Sequence, residues 1–276
     1  MPQNPFVVAT KSPSRDVFIF DMSKHPSVPR LEKGFCPEHR CTGHTREGYG
    51  LSWNPLSRGK LLSGSDDAKI CLWDINEAGA RVPCVTSWGG HIDVVEDVAW
   101  HLHCQHVFGS VSDDRRLLLW DSRGNSTAQP IISVEEAHRA DINALAFNPQ
   151  NEYLCISGSA DTTVKVWDLR NTSASLHTLC SHQKEVYQIQ WAPFSESIVA
   201  SCGADRRVCV WDLGKIGTQS GSRLDDSPPE LVFVHGGHTS KVLDLSWNSV
   251  DQWTLASASE DNILQVWKPV RDDCST

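Results

Sequence analysis

The sequence predicts an all-β propeller, and three periodic series predict it. The chain has 276 residues and 11 tryptophans. Trp73, Trp120, Trp167, Trp211 and Trp267 recur at intervals of 47, 47, 44 and 56 residues. Trp53, Trp100, Phe147, Trp191 and Trp247 keep the same intervals, and so do His44, His91, His138, His182 and His238. Three series with one period mark an internal repeat.

The units are read in order along the chain. Residues 1–42 form a partial blade: MPQNPFVVATK and DVFIFD read as the second and third strands of a blade whose first strand is missing, with Phe20-Asp21 where later units have Trp-Asp. Five full repeats follow, around 43–89, 90–136, 137–180, 181–236 and 237–276, the whole being expected as one domain over residues 1–276. Within 141–168, DINALAFNP and EYLCISGSADTTVKVWD hold three short β-branched and aromatic runs, broken by Asn-Pro and Ser-Ala-Asp, with no helical period. A fourth run precedes the next histidine: LHTLC at 176–180, or QPIISV at 129–134. Four short strands per 44–56 residues describe a propeller blade. The longest interval comes from an inserted polar loop, Gly214 to Glu230. Five blades and a part make an open or strained arc with unpaired strand edges.

Composition narrows the function. Lys plus Arg is 25 against Asp plus Glu 34, a net charge of −9. That balance lacks the basic footprint that nucleic-acid binding requires, and it suits a basic partner. No run of about 18 apolar residues and no apolar leader occur, which argues against a membrane span or secretion. Ten cysteines without one CxxC pair, several inside apolar runs (Cys71, Cys155, Cys209), read as free thiols of a reducing compartment.

Gly-His at 43–44, 90–91 and 237–238 and four Trp-Asp pairs resemble the WD-repeat β-propeller. The internal spacing agrees. Asp67, Asp114, Asp161, Asp205 and Asp261 each lie six residues before their tryptophan, and Ser63, Ser110, Ser157, Ser201 and Ser257 four before that Asp. A His, Ser and Asp in every unit resembles a hydrolase triad, but five copies argue for structure. The resemblance implies a hydrogen-bonded tetrad in each blade, Asp tying His to Ser and Ser reaching the Trp indole N–H, and no enzyme activity.

GHTREGYGLSWNP (43–55), DDAKICLWDI (66–75), VVEDVAWH (94–101), GSADTTVKVWDLRN (158–171), DRRVCVWDLGKIG (205–217), PPELVFVHGGH (228–238) and SEDNILQVW (259–267) are together similar to the Msi-type histone chaperones, the retinoblastoma-binding WD-repeat proteins of chromatin assembly. That resemblance implies a non-catalytic, nuclear scaffold of chromatin assembly, deacetylase, remodelling or Polycomb complexes, without cofactor. Its expected partners are histones three and four, by tail and first helix, and chromatin-complex subunits, with no direct nucleic acid or membrane. Family members have seven blades and an N-terminal helix, so this chain reads as an N-terminally truncated member.

The first strand of a blade begins at the channel mouth, so positions three and five after each histidine should line one rim. These are Glu47 and Tyr49, Val94 and Glu96, Asp141 and Asn143, Glu185 and Tyr187, Lys241 and Leu243, joined by Glu260. Carboxylates can fork onto arginine and tyrosines stack on it, so Glu47, Tyr49, Glu96, Asn143, Glu185, Tyr187, Lys241 and Glu260 are the expected tail-binding set, with Lys241 a misfit that could pair with Glu260. The resemblance also implies a histone-helix loop from Asp225, Asp226, Pro228, Pro229 and Leu231. His101, His103, Cys104 and His106 are a metal candidate, set aside because a tight turn does not let the ligands converge. Arg123 and Arg170, after Trp-Asp, match a docking pattern of substrate receptors in cullin-type ubiquitin ligases. The competing expectation is that each pairs with a neighbouring blade's acid.

Overall fold

A computed structural model describes residues 1–26, 28, 34–76, 79–125, 129–218 and 227–269. Its ordered elements are short strands and two single-turn 3-10 segments, and among these residues no helix is long and apolar enough to cross a membrane. The chain separates into two compact units, residues 1–142 and 143–276.

The first unit holds three sheets. In the first, β1 (Val7–Lys11), β2 (Val17–Asp21) and β3 (His39–Thr42) are antiparallel neighbours, and β7 (Arg81–Pro83) lies parallel to β3. The partial blade therefore extends beyond residue 42: it takes its outer strand from the following repeat. Val82 anchors the added strand: it is buried with Val17, Ile19 and Cys41 of the partial blade and with Leu61, Cys71 and Trp73 of its own repeat. The second sheet runs β4 (Leu51–Trp53), β5 (Lys60–Gly64), β6 (Ile70–Asp74) and β8 (Thr86–Trp88). The third runs β9 (Val95–Trp100), β10 (Val107–Ser112), β11 (Leu117–Asp121) and β12 (Ile132–Val134).

In the second unit one sheet is β13 (Ile142–Phe147), β14 (Leu154–Ser159), β15 (Thr163–Asp168) and β16 (His177–Cys180). The next is β17 (Val186–Trp191), β18 (Ile198–Gly203), β19 (Val208–Asp212) and β20 (Leu231–His235). The last has three strands: β21 (Val242–Trp247), β22 (Leu255–Ser259) and β23 (Leu264–Trp267).

One turn recurs between the second and third strands of each full repeat. The residue after the repeat's Asp has positive φ: Ala68 (59°), Arg115 (66°), Thr162 (71°), Arg206 (65°) and Asn262 (64°). The left-handed residue reverses the chain tightly while the Asp side chain accepts the amide two residues on, as in Lys69→Asp67 and Arg116→Asp114. That turn aims the Asp back toward the histidine.

Adjacent sheets pack face to face. In the first unit Leu62, Ile70, Leu72 and Trp88 meet Val95, Val98, Trp100 and Phe108. In the second, Val208 and Val210 meet Val242, Leu245 and Trp247. Each such side chain contributes about 1.5–3 kcal/mol on burial. Polar bonds set the spacing. The indole N–H of Trp100 donates to the Ser52 carbonyl (3.2 Å), that of Trp191 to Ala146 (3.3 Å) and that of Trp247 to Gln190 (3.2 Å). These bonds run from each inner strand to the one before it.

Candidate functional site

The His–Ser–Asp sets come first because they fix the inner strands. In the β9–β12 sheet, His91 Nδ1 meets Asp114 at 2.9 Å and Nε2 meets Ser110 Oγ at 2.7 Å, while Trp120 Nε1 donates to the same hydroxyl at 2.9 Å. The β17–β20 sheet repeats this with His182, Asp205, Ser201 and Trp211 at 2.9, 2.8 and 2.8 Å. Both serines are fully buried, with the hydroxyl shared between two ring nitrogens. A substrate carbonyl cannot reach such an oxygen, so these groups hold the blade. Burial opposes a charge on His182, but Asp205 and Cys209 together outweigh it and raise the imidazole to about 9.

Two copies depart from the expected tetrad. Trp73 donates to the Thr42 carbonyl (3.2 Å) and not to Ser63, although His44 still holds Ser63 (2.7 Å) and Asp67 (3.1 Å). Strand β3 supplies that carbonyl and takes over the serine's role as acceptor. In the last repeat Asp261 does not hold His238. His238 Nδ1 meets Ser259 (3.0 Å), Nε2 meets Ser257 (2.7 Å), and Asp261 accepts from Ser259 and Thr239. A serine hydroxyl has come between the acid and the imidazole.

The rim positions follow the pleat. Gly48, Val95, Ile142, Val186 and Val242, four after each histidine, are buried, while the residues three and five after it are half-buried or exposed. In the first unit Glu47 and Tyr49 are exposed, and Glu96 sits half-buried among carboxylates. Burial, then Asp113, Asp66 and Asp141, raise the Glu96 carboxyl to about 7. Burial and Asp141 raise Asp113 to about 6. Glu96, Asp113, Asp66 and Asp141 make no ion pair among the described residues, and Asp66 Oδ1 is buried without a hydrogen-bond partner there. Sequence reading missed Asp66 and Asp113. Their signal was available: each immediately precedes its repeat's periodic Asp in the same tight turn.

In the second unit Tyr187 Oη donates to Glu185 Oε2 at 2.9 Å. Burial, then Glu185 and Glu260, push the phenol up to about 12, so the three groups share one locality. Lys241 makes no ion pair with Glu260 among the described residues; the two are joined by the Glu260 amide donating to the Lys241 carbonyl (2.9 Å). Asn143 donates to the Val186 carbonyl (2.7 Å) and so ties two inner strands together.

Asp225 and Asp226 lie outside the described residues. Pro228 and Pro229 are half-buried, and Leu231 is packed in the core with Trp211. Arg123 and Arg170 fork onto the Asp of their own Trp-Asp pair, Asp121 and Asp168, instead of a neighbouring blade's acid. The two-residue offset closes that bidentate ring with no demand on tertiary contact. Their side chains stay 69% and 65% exposed. His101 Nδ1 accepts the amides of His103 and Cys104 (3.1 and 3.0 Å), which spends it on the turn. Among the described residues no group of three His, Cys, Asp or Glu is placed to hold a metal ion.

The repeats match the WD domain, G-beta repeat, over residues 35–74, 82–121, 129–168, 173–212 and 229–268, more than two thirds of the chain. The chain belongs to the WD40 repeat family. Each matched WD40 segment ends at or just after the repeat's Trp, and runs from one blade's outer strand to the next blade's third, the overlap that links consecutive blades. WD40 repeats are protein-interaction scaffolds, which accords with serines and histidines that are buried and mutually bonded.

Proposed function

We propose that this WD40 chain is a non-catalytic histone-binding subunit of nuclear chromatin complexes, taking basic histone or cofactor tails on its acidic inner-strand rim. One observation carries the reading: half-buried Glu96 sits among Asp113, Asp66 and Asp141 with no ion pair to any of them among the described residues, and burial followed by these carboxylates raises it to about 7. A protein gains nothing in stability from such a cluster, whereas an arginine or lysine entering it would relieve the repulsion and make charge-assisted bonds. Glu185 and Glu260, with Tyr187 beside them, offer the same chemistry on the second unit. The similarity of the quoted segments to Msi-type chaperones supports reading the tails as those of histones three and four.

The test is calorimetry with a basic histone-tail peptide. Glu47→Lys with Glu96→Lys, and separately Glu185→Lys with Glu260→Lys, are each expected to weaken binding at least tenfold, and added salt to weaken it further. Affinity should fall between pH 8 and pH 6 as Glu96 and Asp113 take up protons. Equal affinity in both double variants overturns the rim. The ligase-receptor reading rests on Arg123 and Arg170, exposed and each forked onto its own aspartate. Arg123→Ala with Arg170→Ala should abolish adaptor pull-down under that reading and leave tail binding intact under the first.

A further inference from the structure

The crossing from β7 to β8 brings together thiols that the acidic rim does not use. Strand β7 runs beside β3 with Pro83 opposite Thr42, and the next amide, that of Cys84, donates to the Thr42 carbonyl (2.9 Å). The chain then returns to its own repeat, where the Val85 amide donates to the Leu72 carbonyl (2.8 Å). Cys84 is thereby packed against the core that holds Cys71 of β6 and Cys41 of β3.

Gly43 shows how close the sulfurs come. A Cβ built there would stand 2.7 Å from Cys84 Cβ, 3.4 Å from Cys71 Sγ and 3.6 Å from Cys84 Sγ. In the next repeat the equivalent Gly90 faces the Trp120 ring instead, at 2.5 Å. The bare glycine at 43 leaves one shared space for two thiols, and in it the Cys71 S–H donates to the Cys84 sulfur. Cys84 Sγ in turn donates to the Thr86 carbonyl (3.0 Å).

The two thiols differ in access and in acidity. Cys71 is 1% exposed, whereas Cys84 is half-buried between exposed Pro83 and Val85. The hydrogen bond from Cys71, helped by backbone bonds at Leu72 and Thr86, lowers the Cys84 thiol against the opposing effect of burial. The same bond, then burial, raises Cys71. Burial, then Asp16 and Cys84, raises Cys41 to about 12. One thiol is therefore reachable and activated, and a second is held against it in reserve.

We propose that Cys84 and Cys71 are a peroxide-sensitive thiol pair, in which a hydroperoxide oxidises Cys84 and Cys71 resolves it to an intramolecular disulfide. The Cys84 thiolate attacks the outer peroxide oxygen, the O–O bond breaks, and the departing alkoxide or hydroxide takes the proton that the thiol gave up. The sulfur, now a sulfenic acid, has lost two electrons and the peroxide has gained them. Cys71 loses its proton and attacks that sulfur; the S–O bond breaks and the hydroxide leaves as water with the proton. Two thiols and one hydroperoxide thus give one disulfide, one alcohol or water, and one further water. The bond would tie β6 to the crossing between β7 and β8. The pair stands apart from tail binding, because it reads an oxidant and not a cation.

The test treats the reduced full chain with hydrogen peroxide, blocks the remaining thiols and maps the peptides by mass spectrometry. The expected product lacks two hydrogens, joins the peptide of Cys71 to that of Cys84, and returns to the thiols with dithiothreitol. Exposed Cys36 and Cys180 are internal references, and Cys84 should be consumed at least tenfold faster than either. Cys71→Ser should leave a sulfenic acid on Cys84 that dimedone traps, and Cys84→Ser should leave Cys71 unoxidised over the same interval. A bond from Cys84 to Cys41 or Cys36 overturns the proposal. So does a Cys84 no faster than Cys36 and Cys180, or one that passes to the sulfinic acid in the unaltered chain without joining Cys71.

Discussion

Two neighbouring repeats in the second unit, 181–236 and 237–269, carry the same grammar and reach different structures. Strand β19 is followed by β20 and covered by β21, so that Val208 and Val210 are 0% exposed. Among the described residues no fourth strand pairs with β23, and the matching Leu264 and Val266 are each 67% exposed. Polar groups follow the packing. Asp205 sits on His182, whereas Asp261 has moved onto Ser259 and Thr239. Burial therefore decides which hydrogen bonds a repeat needs. A buried imidazole must find its acid, while near solvent the acid can settle for hydroxyls.

Serine removal should give the largest contrast. Ser201→Ala leaves the His182 and Trp211 ring nitrogens without a partner in a closed interior, and is expected to cost about 2–4 kcal/mol. Ser257→Ala is expected to cost about half that, because Trp267 is only partly buried. Urea titrations of the two variants measure both values. Equal losses would break the argument from burial.

Truncating the covering face comes next. Val210→Ala removes two methyl groups from a packed core and should destabilise by about 1–2 kcal/mol, while Val266→Ala should change stability by under about 0.5 kcal/mol. A large effect at Val266 would show that its face is covered in solution.

The smallest contrast is in pH. His182 rises from the ordinary 6.5 to about 9, so the stability its charge contributes is complete below pH 6.5 and lost as pH climbs toward 9. His238 is lowered, first by burial and then by His235, so its contribution is complete above pH 6.5 and lost as pH falls. Amide protection on strands β17–β20, corrected for the intrinsic pH dependence of exchange, should fall between pH 6.5 and 9. Protection on β21–β23, corrected in the same way, should fall instead on acidification. The same sign in both repeats would refute the altered Asp261 geometry.

The amino-acid sequence by itself determined the repeat, the strand order within each repeat and the buried His–Ser–Asp sets. The reason is local: a Trp-Asp spacing, a left-handed turn after Asp and a period-two apolar pattern act within 30 residues, and each recurs five times. The alternation also places Glu47, Glu96 and Glu185 outside the core, since a strand that buries Val95 or Val186 must turn its neighbours away. Only the tertiary structure decided the rest. Val82 pairs across the repeat boundary with β3 in a core that both repeats build, and Trp73 donates to the Thr42 carbonyl that β3 supplies. Asp66 and Asp113 gather around Glu96 through turns in different repeats, and Asp261 leaves His238 beside a strand whose Leu264 and Val266 stay exposed. Spacing along a chain specifies what a repeat can bond, but which bonds form depends on what water is excluded from, and packing alone decides that.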